Sequence, residues 1–102
     1  MSDHQNLEQA KRRMVRYRIL MILDAGRPIP VGEGLINETL SDADLGASPK
    51  DIRKALQYLC DKKFIDIQKM PGHWDARLLP VGVDYLENPN IQEIGIARPA
   101  SF

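Results

Sequence analysis

The chain has 102 residues, 43% hydrophobic and 27% charged, and its 14 basic and 14 acidic side chains leave no formal net charge. That length suits one domain and excludes two ordinary ones, and the composition excludes a disordered or fibrous polypeptide. No apolar run approaches the ~20 residues of a membrane-crossing helix, the Met1–Asn6 start is polar rather than signal-like, and Cys60 stands alone, which precludes an internal disulfide. A cytoplasmic protein with a packed core and no membrane partner is expected.

The first helix is expected from about Leu7 to Ala25, with Met14, Tyr17, Leu20 or Met21, and Leu23 or Asp24 recurring at helical spacing. The unbroken Ile19–Leu23 run implies burial on more than one side near its end, and Gly26 supplies the stop. Two prolines make Arg27–Val31 a short extended piece. A second helix is expected over Gly32–Leu40, with Leu35, Ile36, Thr39 and Leu40 inward. Its two glycines weaken it, so packing must hold it.

After the polar Ser41–Ala47 connection comes the best-marked helix, over 48–63. Ser48 suits the N-cap, Pro49 the first helical position and Asp51 the capping-box position. Ile52, Ala55, Leu56, Leu59 and Cys60 form one apolar stripe, with Lys50, Arg53, Lys54, Gln57 and Asp61 opposite. Phe64–Lys69 and Trp74–Leu78 alternate as strands around the Met70-Pro71-Gly72-His73 turn, making a hairpin over 64–78. A short helix from Val81 to Glu87 and an extended tail, 88–102, complete the chain.

The order helix, extended piece, helix, helix, hairpin is that of a winged helix-turn-helix. The fold class expected is therefore α+β and mainly helical: a three-helix core, a β-hairpin wing and a short C-terminal helix, in a single domain spanning 1–102 with an ordered core at 7–87. The segment Ile52–Ile65 resembles the helix-and-strand pattern of winged-helix regulators, and the whole chain resembles the small winged-helix proteins of Mu-like phages and prophages. That second resemblance rests on Ala76-Arg77-Leu78-Leu79-Pro80-Val81-Gly82-Val83-Asp84-Tyr85-Leu86-Glu87 followed by Gly95-Ile96-Ala97-Arg98-Pro99. It implies a phage-derived, DNA-associated protein of the transcriptional-regulator kind. Leu79 departs from it, standing where the family carries a capping Thr.

Nucleic-acid binders gain affinity by neutralising phosphates, so local charge bears on function. Residues 1–24 carry five bases against three acids, residues 25–48 one against four, residues 49–77 seven against four, and the remainder one against three. The basic excess thus falls on the first helix and on the helix–hairpin unit. Lys50, Arg53, Lys54 and Gln57 on the third helix are the residues expected to enter a major groove, Arg at guanine edges and Gln at adenine. Lys69, His73 and Arg77 flank the wing turn and are expected at phosphates or the minor groove, although a solvated hairpin would look the same.

Trp74 could stack on a base, but sharing a face with Ala76 and Leu78 favours burial. The basic residues Lys11, Arg12, Arg13, Arg16 and Arg18 fit a solvated helix face better than phosphate contacts. Cys60, on the apolar stripe, reads as core rather than nucleophile. His4 and His73 lack partners at ligand spacing, no triad or phosphate loop is visible, and neither cofactor, metal nor enzymatic activity is expected. The expected partners are double-stranded DNA and a second copy of the chain. An alternative class is a protein–protein module in phage assembly or packaging, favoured by the zero net charge and by Glu33 and Glu38 on the second helix.

Overall fold

In the computed structural model, which describes residues 2–99, four helices and a three-stranded antiparallel sheet make a mainly helical α+β domain whose element order is consistent with a winged-helix topology. Helix α1 covers Asp3–Gly26. It begins a turn earlier than apolar periodicity indicates, because Ser2 and Gln5 form a reciprocal capping box. The inward residues are Val15, Ile19, Leu20 and Leu23. Of the positions expected at helical spacing, Leu20 and Leu23 are buried, whereas Met14, and Met21 as the alternative to Leu20, are 48% and 39% exposed, since Val15, Ile19 and Leu23 set the phase.

Strand β1, Val31–Gly32, leads into α2, Glu33–Asp42. Ile36 and Leu40 are fully buried, whereas Leu35, expected inward, is 63% exposed. Two residues four apart suffice to anchor this ten-residue helix, and Leu35 falls outside the arc they define.

Helix α3, Pro49–Asp61, starts as its sequence dictates: the Asp51 backbone N–H donates to Ser48 Oγ at 3.1 Å, and Pro49 occupies the first turn. Its buried face is Ile52, Ala55, Leu56 and Leu59, with Cys60 half-buried beside them.

Strands β2, Ile65–Met70, and β3, His73–Leu78, form the hairpin, and β1 pairs with the far edge of β3. Gly72 closes the turn at φ +73°, a conformation that favours glycine. The register puts Lys69 opposite Trp74, Ile67 opposite Ala76 and Ile65 opposite Leu78. Because side chains alternate, these pairs share one face, while Met70–His73, Gln68–Asp75 and Asp66–Arg77 share the other.

Helix α4, Pro80–Glu87, starts at Leu79, which offers no side-chain cap. The helix is held instead by burial of Gly82 and Tyr85 and by stacking of Tyr85 on Phe64, 5.3 Å between ring centres. A Cβ on Gly82 would meet the Phe64 carbonyl, so only glycine permits this approach.

Residues 88–99 form no helix or strand, yet they fold back across α1. Ile96 is buried, the Ala97 N–H donates to the Arg13 carbonyl at 3.1 Å, and Arg16 Nη1 donates to the Gly95 carbonyl at 2.9 Å. Arg98 donates to the Tyr85, Asn88 and Ile91 carbonyls, closing the end of α4. Phe102, an apolar tail position, lies outside the described residues. Among the described residues no helix is long and apolar enough to cross a membrane.

Candidate nucleic-acid interface

Helix α3 presents Lys50, Arg53, Lys54 and Gln57 to a shallow groove that it shares with Pro49 and Trp74. Trp74 is half-buried and packs against the core, so its indole forms the groove floor rather than projecting from it. Two cations lie over the ring: the Arg53 guanidinium at 4.7 Å from its centre and Lys69 Nζ at 4.6 Å.

The cations of this face differ in how far they are neutralised. Arg53 donates to both oxygens of Glu33 at 2.8 and 2.7 Å, and the same carboxylate accepts the Trp74 backbone N–H at 3.1 Å. This bidentate pair holds the Glu33 carboxyl below its ordinary pKa and raises that of Arg53. Glu33 sits in the first turn of α2, so a single carboxylate joins α2, α3 and β3. Gln57 is occupied at both ends of its amide, accepting from Lys69 Nζ at 2.7 Å and donating to Asp61 at 2.9 Å. Lys50 and Lys54 are exposed and make no ion pair or hydrogen bond among the described residues.

The seven residues singled out in the sequence therefore divide. Lys50, Arg53, Lys54, Gln57 and Lys69 gather around Trp74 on one side. His73 and Arg77 lie on the opposite face of the hairpin, each beside an acid: His73 Nε2 is 2.6 Å from Asp75 and Arg77 Nη2 is 3.4 Å from Asp66. Strand alternation forces this split, since 74 is even and both 73 and 77 are odd. On α1, Arg13 and Arg16 are partly covered by the returning tail, and Arg16 stacks on Tyr58 at 3.8 Å.

Glu33 is the residue that the sequence did not announce as part of this site. It sits 20 positions from Arg53 and 41 from Trp74, and no local spacing relates the three. Among the described residues, no group of three His, Cys, Asp or Glu side chains converges as a metal site would require. No protein-family model, curated protein or solved structure matches the chain.

Proposed function

We propose that this protein is a winged-helix, phage-type DNA-binding protein that lays α3 along the major groove of a duplex and acts by binding rather than by catalysis. The observation that supports this reading is the trio Lys50, Lys54 and Lys69 on one face, none facing a carboxylate partner among the described residues, around a helix whose capped start meets solvent. Three unpaired point charges on one face are suited to phosphates, which supply most of the affinity of such contacts. Arg53, clasped by Glu33, acts as a positioning residue that steadies Trp74 and the hairpin against α3. Gln57 ties Lys69 to the helix.

Titration of a labelled random duplex at low salt, followed by fluorescence anisotropy, tests this. Saturable binding with a dissociation constant below about 100 µM, the weak end for non-specific contacts, is expected. No binding at that concentration overturns the reading.

A second reading, a protein–protein module in phage assembly, is favoured by neutralisation: Arg53, His73 and Arg77 each have an acid beside them. Failure to bind duplex would favour it. Self-association belongs to either reading. Leu7, Met14 and Met21 are exposed on α1 and stand seven residues apart, one stripe along the side away from the core. Sedimentation equilibrium is expected to show a dimer, and a single 11.6 kDa species at all concentrations would remove it.

A further inference from the structure

A helix that selects an operator does so with planar side chains aimed at base edges in the major groove, chiefly Arg on guanine and Asn or Gln on adenine. Cations on phosphates fix position and carry no sequence information. On the exposed face of α3 the two kinds of side chain have separate fates.

Arg53 and Gln57 carry the planar groups that tell guanine and adenine apart, and both are engaged within the protein. Arg53 spends Nε and Nη2 on the Glu33 carboxylate and lies across the Trp74 indole, toward the hairpin rather than outward along α3. Drawing it out would leave the Glu33 side chain, 14% exposed, with the Trp74 N–H as its remaining donor. Leaving a carboxylate short of partners at that depth is costly. Gln57 has its oxygen on Lys69 Nζ and its nitrogen on Asp61.

The wing supplies no reader in their place. His73 and Arg77 lie on the opposite face of the hairpin, beside Asp75 and Asp66. The turn presents Pro71 and Gly72, neither of which has a side-chain donor or acceptor. What remains on the α3 side is Lys50, Lys54 and Lys69, none paired with a carboxylate among the described residues. An ammonium on a flexible stem meets a phosphate from many angles and imposes no fixed geometry on a base pair.

We propose that this protein binds double-stranded DNA without regard to sequence, Lys50, Lys54 and Lys69 holding phosphates while Arg53 and Gln57 stay engaged within the protein. The proposal rests on the DNA-binding reading above and takes it further: the partner is any duplex rather than an operator. Helix α3 enters the groove to reach phosphates on its walls and leaves the base edges unread.

The test mixes the full-length protein with a pool of duplexes carrying a randomised central segment, and the bound and free fractions are sequenced. Fluorescence anisotropy on an A·T-rich and a G·C-rich duplex of equal length gives the affinities directly. The bound fraction is expected to show no motif and the two dissociation constants to agree within about threefold, where operator recognition separates sequences by at least about a thousandfold. Lys50→Ala and Lys54→Ala are each expected to weaken both duplexes about eightfold at about 0.1 M salt, the counterion factor of one phosphate contact, with the ratio between duplexes unchanged.

A preference of about fivefold or more for one sequence, the worth of a single bidentate base contact, overturns the proposal and leaves duplex binding standing. A lysine substitution that weakens one duplex and spares the other overturns it as well, since it would put that lysine on a base. Absence of saturable binding to either duplex overturns the DNA-binding reading itself, and the proposal falls with it.

Discussion

Replacing Glu33 by Gln isolates the charge of the clasp with little change of shape. The Glu33 side chain is 14% exposed and accepts three N–H groups, two from Arg53 and one from Trp74. Gln keeps one oxygen acceptor but sets an NH₂ group against the remaining donors. Hydrogen bonds to charged groups contribute about 1.5–3 kcal/mol each when well shielded. Arg53 is 36% exposed, so water recovers most of what it loses and the pair falls in the range of solvent-screened ion pairs. The expected loss is at most about 1 kcal/mol, a fall in Tm of no more than roughly 4–8 °C for a domain of this size.

The pH dependence carries a definite sign. Glu33 has its pKa lowered by the Arg53 hydrogen bonds from an ordinary 4.5, so its contribution is complete above that value and disappears as pH falls through the folded-state value. Thermal melts followed by circular dichroism should therefore show a gap between the native protein and Glu33→Gln at pH 7 that closes progressively below pH 4.5. Equal melting at pH 7, or a gap that stays constant down to pH 3 in folded protein, would refute the clasp as a stabilising ion pair.

Leu56 is fully buried between α3 and the core, and Leu56→Ala should cost roughly 2–5 kcal/mol in urea unfolding. Leu79→Ser should gain about 0.5–1 kcal/mol by supplying the missing cap of α4, read as a higher urea midpoint. Three unneutralised lysines imply a log–log salt slope near −2.7 for duplex binding, at about −0.9 per phosphate contact. Lys69→Ala should make it about one unit shallower for all sequences alike, and an Arg77→Ala variant should leave it unchanged, since Arg77 lies on the far face.

Much of the architecture was legible from the chain alone, because its signals are local. Ser48, Pro49 and the stripe from Ile52 to Leu59 define α3 within a dozen positions. Pro71 and Gly72 define the hairpin turn, and alternation defines which strand residues share a face. The position of α1 was legible, but its rotation was not. With Ile19 to Leu23 apolar throughout, several phases bury comparable surface, and contact with α2, α3 and the returning tail selects Val15 over Met14.

The candidate site shows the same division more sharply. That α3 bears cations follows from sequence period, but which of them stay free depends on acids brought from elsewhere. Glu33 reaches Arg53 across 20 positions, and the Gly95 carbonyl reaches Arg16 across 79. Caps, turns and periodicity are set by neighbours along the chain, where covalent geometry dictates distance. Ion pairs and covered surfaces are set by how elements dock, and only the packed core determines that.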